Sequence, residues 1–287
     1  MNTIIKFYSG NTTRVNDLIS KNEDKINKKY SQGHTPIMYA SELGDLKIIE
    51  LLWVKGANIN EKDSDGYNSL MIASEQGHLE CVNFLLEKGA NPNDKTKFGD
   101  NSLIIATMAN KVKIVQALVG KVNINDKNLE GFNPLVIGIQ SSNVQIVSVL
   151  LTNGADPNDK SNGSSPLCYA CQYNNKEIVE LLLKYGANIH EKDMYGWTPI
   201  MIASGFGQIE IIKLLLTKGA NIHDKTTEGF NCLMASSHAG FEKSVEFLLS
   251  NGANPHDKNI DGWNSLMFAT EYSHNQVINL LSQYENK

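Results

Sequence analysis

The sequence predicts an all-α repeat solenoid, and three observations lead there. The first is a fixed period. Gly33, Gly66, Gly99, Gly131, Gly163, Gly196, Gly229 and Gly262 recur at spacings of 33, 33, 32, 32, 33, 33 and 33 residues. The second is apolar residues at helical spacing late in each period, as in Leu46, Ile49 and Leu52 with Ile48 and Leu51 beside them. The third is a small residue at one fixed place, where two helices must approach closely. It is Ala40, Ala73, Ala106, Ala170, Ala203 and Ala269, with Gly138 and Ser236 keeping the position small. A unit of this length buries its apolar side only against its neighbours, so the copies must stack.

Each element of the unit has its own signal. After the opening glycine comes a cap for a short first helix. Thr198 before Pro199, Thr35 before Pro36 and Ser165 before Pro166 offer a hydroxyl oxygen, and proline in the first turn loses no hydrogen bond. Elsewhere asparagine caps, at Asn68, Asn101, Asn133, Asn231 and Asn264. A turn at Gly44, Gly77, Gly207 or Gly240 leads to the second helix. Gly56, Gly89, Gly154, Gly186, Gly219 and Gly252 close it in the left-handed conformation. A polar segment such as Asn58–Asp65 then suits a turn-forming hairpin, called here the finger. Two units are one residue short, near Gly120–Val122 and at the tip before Gly163, where a local change in stacking is expected.

Gly33–Ala40, Gly77-His78-Leu79-Glu80 and Leu214–Asn221, recurring in register, resemble the ankyrin repeat. The resemblance covers about nine-tenths of the chain. It implies ankyrin-type helix-turn-helix units with β-hairpin fingers, stacked into a curved elongated slab. One domain is expected over 1–287: a degenerate cap at 1–32, units starting at 33, 66, 99, 131, 163, 196 and 229, and a terminal cap at 262–287. One departure stands out. The family's usual Thr-Pro-Leu-His carries a histidine where this chain has Met38, Met71, Ile104, Val136, Cys168, Met201, Met234 and Met267. A polar tie is replaced by an apolar stack, and methionine suits irregular gaps.

Composition removes several function classes. A net charge of −5 argues against a general nucleic-acid binder. No apolar run is long enough for membrane insertion, and the opening ten residues lack a secretory core. Cys168 and Cys171 form a C-x-x-C, but both fall at packing positions of one first helix and no second pair exists. The reading is a reducing, cytoplasmic setting without metal or cofactor. His190, His223 and His256 recur in one column, yet adjacent units lie roughly 10 Å apart. One zinc ion needs each ligand at about 2 Å, so they read as finger hydrogen-bonders. No catalytic set stands outside the repeat pattern, so an enzyme is not expected.

Positions that vary between units are the candidates for recognition. In the family, ligands commonly meet the finger tips and the outward side of the first helices. Transferred here, those places hold Tyr67, Phe98, Phe132, Tyr173, Tyr195, Trp197, Phe206, Phe230, Trp263 and Tyr272. Gathered aromatics of this kind mark a binding surface. The five directly after an opening glycine are expected to lean onto neighbouring fingers. A second series is Lys62, Lys95, Lys127, Lys160, Lys192, Lys225 and Lys258, each preceded by an acid. Alternation should put lysines on one side and acids on the other. Such a ladder suits an acid-containing peptide, or else is only solvated. The expected function is therefore protein–protein interaction by a monomer, with a partner protein or extended peptide in a concave groove. The alternatives are an architectural scaffold without motif specificity and a substrate of asparaginyl hydroxylation at Asn60, Asn93, Asn125 and Asn158.

Overall fold

A computed structural model describes residues 25–284. Most of the cap expected over 1–32, and the polar end at Glu285 and Asn286, lie outside the described residues. Two compact units divide after Ala155. The first holds four helix pairs: α1 (Pro36–Leu43) with α2 (Leu46–Val54), α3 (Ser69–Gln76) with α4 (Leu79–Glu87), α5 (Ser102–Met108) with α6 (Val112–Leu118), and α7 (Pro134–Gln140) with α8 (Val144–Thr152). The second holds α9 (Pro166–Gln172) with α10 (Lys176–Lys184), α11 (Pro199–Gly205) with α12 (Ile209–Thr217), α13 (Cys232–His238) with α14 (Glu242–Ser250), and α15 (Ser265–Glu271) with α16 (Asn275–Ser282). Inside each unit, first helices pack on first helices and second on second, as a repeat solenoid requires.

The core follows from this stacking. Met38, Met71, Ile104, Val136, Met201 and Met234 are fully buried. Met267 is 46% exposed, because α15 has no following first helix over it among the described residues. All four cysteines are free and buried. Burial pushes the Cys81 and Cys168 thiols up to about 11 and Cys232 to about 12, and holds Cys171 well above its usual value.

The caps differ in distance. The side-chain oxygens of Asn68, Asn133, Asn231 and Asn264 accept from the third helical N–H at 2.9–3.0 Å, and Asn101 does so at 3.0 Å. Ser165 manages 3.3 Å. Thr198 does not cap as expected: its hydroxyl is buried without a hydrogen-bond partner.

The fingers are chains of turns rather than paired strands. The only bridges among the described residues are isolated, Val119 with Val122 and Ser161 with Ser164. They fall at the two places where a unit is one residue short. Elsewhere a finger tip closes through one bond, such as Asp63 N–H to Tyr67 O (2.9 Å), and reaches its neighbour through another, such as Lys97 N–H to Asp65 O (2.8 Å). The opening glycine permits this approach. Gly66 has φ +86°, and a β-carbon there would meet Thr96 Cα at 3.0 Å.

Candidate partner-binding surface

The finger charges are drawn together instead of separating onto two sides. Lys62 pairs with Asp94 (3.2 Å), Lys95 with Asp126 (2.8 Å), Lys160 with Glu191 and Lys225 with Asp257 (3.2 Å). Several lysines also donate to the next lysine's carbonyl, as Lys192 does to Lys225 O at 3.0 Å. The acid is the junction. Asp94 Oδ1 accepts from Lys62 and from Asn91 Nδ2 (3.1 Å), while Oδ2 accepts from the cap Asn68 (3.1 Å). Asp257 repeats the arrangement with Lys225, Asn254 and Asn231. Lys160 donates to Glu191 and holds its carboxyl below the usual range. No finger follows Lys258 within the described residues.

The asparagines one place before each acid also join fingers. Asn60 Nδ2 donates to Gly89 O (3.3 Å) and its Oδ1 accepts from Asn91 N–H (2.9 Å). Asn158 does the same with Gly186 O (3.0 Å) and Asn188 N–H (2.8 Å). Where histidine takes this place, the backbone N–H of His190, His223 and His256 is held by the asparagine two residues earlier, at 3.0 Å. Among the described residues no group of three or more metal-ligating side chains comes together.

The aromatic candidates sort into two kinds. Tyr67, Phe132, Trp197, Phe230 and Trp263, each after an opening glycine, are half-buried. Phe98, Tyr173, Tyr195, Phe206 and Tyr272 are 43–66% exposed. Tyr67, Phe98 and Phe132 belong to the unit ending at Ala155. There Leu129 (79%) and Met108 (56%), which no aromatic pattern flags, are exposed as well.

In the unit from Asp156 on, Tyr195, Trp197, Phe206 and Phe230 line one groove of about 670 Å³. The finger tip is hung on Asp193, whose Oδ1 accepts from the N–H groups of Tyr195 (2.9 Å) and Trp197 (2.8 Å). This turn sends Tyr195 outward and Trp197 down against Phe230, with ring centres 6.0 Å apart. The rings continue through Phe230–Phe268 (4.9 Å) and Phe268–Trp263 (5.2 Å), and beside them His238–Tyr272 (4.4 Å). Tyr169, its phenol raised by burial, donates to Ser161 O (3.1 Å) at the same groove.

The groove exists because two side chains are missing from it. Nine residues after the opening glycine the units carry Glu42, Glu75, Met108, Gln140, Gln172, His238 and Glu271, and α11 carries Gly205. Three places earlier stand Tyr39, Ile72, Ile105, Ile137, Tyr169, Ile202 and Phe268, and α13 carries Ala235. Gly205 and Ala235 form the floor. Gly205 needs no left-handed backbone, and a β-carbon there would meet only Ala235 Cβ, at 3.8 Å. Searching the sequence for large residues missed this floor and missed Met194, which is 67% exposed at the rim. A column-by-column comparison of the units would have shown Gly205 as the odd residue.

No helix among the described residues is long and apolar enough to cross a membrane. A search of curated proteins finds no match to the chain. The family model for ankyrin repeats (3 copies) matches residues 4–96, 88–161, 150–226 and 216–287. Repeats of that family are generally protein–protein interaction modules and typically not enzymes. Helix pairs in a 33-residue register, stacked first on first and second on second, with a family model matching nearly end to end, show that the chain belongs to the ankyrin-repeat family.

Proposed function

We propose that the chain is a protein-recognition module whose partner lies in the groove over Gly205. One observation carries this reading: a pocket of about 670 Å³ whose rim exposes Met194, Tyr195 and Phe206 and whose floor is a glycine and an alanine. Apolar side chains left in water around a preformed concavity are what an incoming chain covers, and a rigid groove loses little freedom on binding. Lys62, Lys95, Lys160 and Lys225 are occupied with the fingers' own acids, so the aromatic face, not the lysines, makes the contact in this reading. The hydroxylation alternative meets an obstacle at Asn60 and Asn158, whose amides are engaged at both ends. The test is affinity capture from the source cell with wild type and Tyr195→Ala/Phe206→Ala, and Lys213→Ala on α12 as control. The double variant is expected to lose the captured protein and the control to keep it. Equal recovery by all three contradicts the groove.

A further inference from the structure

The groove carries charge as well as rings. Asp193 and Glu228 line it, and no lysine or arginine does. Neither carboxylate is in an ion pair. The equivalent acids of an earlier finger are both paired. Asp63 meets the ring of His34 (3.0 Å), and Asp65 meets Lys97. The difference lies in the partners' columns. Ser164 stands 29 residues before Asp193, where His34 stands 29 before Asp63. Ile260 stands 32 residues after Glu228, where Lys97 stands 32 after Asp65. His34 and Lys97 are the only cations in those two columns, so Asp193 and Glu228 meet none, and they stand where Gly205 and Ala235 open a cavity between aromatic walls. Uncompensated negative charge beside π-faces favours a cation, which gains from both.

On the reading that this groove binds a partner chain, we infer that its occupant is a peptide segment bearing one arginine or lysine, with that basic side chain over Gly205 between Trp197 and Phe206 and its charge toward Asp193 and Glu228. This is the reverse of the acid-containing ligand that the lysine series suggests. Lys62, Lys95, Lys160 and Lys225 are spent on acids of the next finger, whereas Asp193 and Glu228 at the groove are in no ion pair.

The charge can be removed without disturbing the turn. Asn128 and Asn259 occupy the Asp193 column in other fingers and hold their tips through the same pair of N–H bonds, at 2.8–3.1 Å. Asp193→Asn therefore keeps the fold. The experiment pans a random twelve-residue peptide library against the full chain, then measures binding of the selected peptide and of its analogue with norleucine in place of the basic residue. Wild type is expected to select a fixed arginine or lysine, and norleucine to weaken binding at least tenfold. Asp193→Asn/Glu228→Gln should bind both peptides within about twofold of each other, with an unchanged melting temperature. Gly205→Gln, which puts into the groove the side chain that Gln172 carries at the same repeat position, should abolish binding of both.

Selected peptides without a basic residue whose binding Gly205→Gln still abolishes would overturn the cation assignment and leave the groove standing. Peptides that bind Gly205→Gln as well as wild type, or no selection at all, would overturn both.

Discussion

Gly205 ends a helix without the left-handed backbone that usually justifies glycine at a helix end. Space is open above it, since the nearest atom to an added β-carbon is 3.8 Å away. Gly205→Ala should raise stability by about 0.5 kcal/mol, read from denaturant unfolding, because alanine loses less backbone freedom in the helix. A loss of stability would mean that the backbone there is strained. The cysteines give a second expectation at this scale. All four thiols are buried, so a thiol reagent should label none in the native protein at pH 8 and all four in guanidinium. Burial also raises Cys81, Cys168 and Cys232 from 9.0 to about 11, 11 and 12. Tyr39, Tyr67 and Tyr169 are pushed up by the same cause. Between pH 9 and 11 the unfolded thiols lose protons that the folded ones keep, so stability falls as pH rises through that window. A melting temperature that is flat or rising from pH 9 to 11 would contradict this.

At the scale of the element, the finger is where sequence and structure part. The helix pairs were legible because their signals are local: apolar spacing, a cap, a closing glycine. The asparagine caps form as read, while Thr198 does not. The lysine–acid alternation was visible, but its meaning was not. Alternation within one finger says nothing of the next finger, and it is there that Lys62 finds Asp94. The acid emerges as the joint between fingers. Asp94→Ala should cost about 2 kcal/mol, because it strands the cap amide of Asn68 along with the lysine. Lys62→Ala, removing one half-exposed partner, should cost less than about 1 kcal/mol. Chemical denaturation of both variants checks the order, and equal costs would deny the acid its central place. The groove was half legible. Tyr195, Trp197, Phe206 and Phe230 follow from aromatic placement, whereas Gly205 and Ala235 matter for what they lack.

At the scale of the molecule, a solenoid shares stability between neighbours, so a helix pair flanked on both sides is held more firmly than one at an edge. Met201 and Met234 are fully buried while Met267 is 46% exposed. Amides of α15 and α16 should therefore exchange with deuterium at least tenfold faster than those of α11, and uniform protection would contradict a nearest-neighbour array. Function is arranged by the same logic. The repeating columns build the stack, and two successive units depart from them at Gly205 and Ala235, where the groove lies. The most direct measurement places a photoreactive benzoylphenylalanine at Tyr195 on the groove rim or at Tyr185 at the end of α10, and irradiates each protein in extract of the source cell. Adducts to a discrete partner from position 195 and none from position 185 are predicted. Adducts from 185 alone, or equally from both, would contradict recognition through the groove.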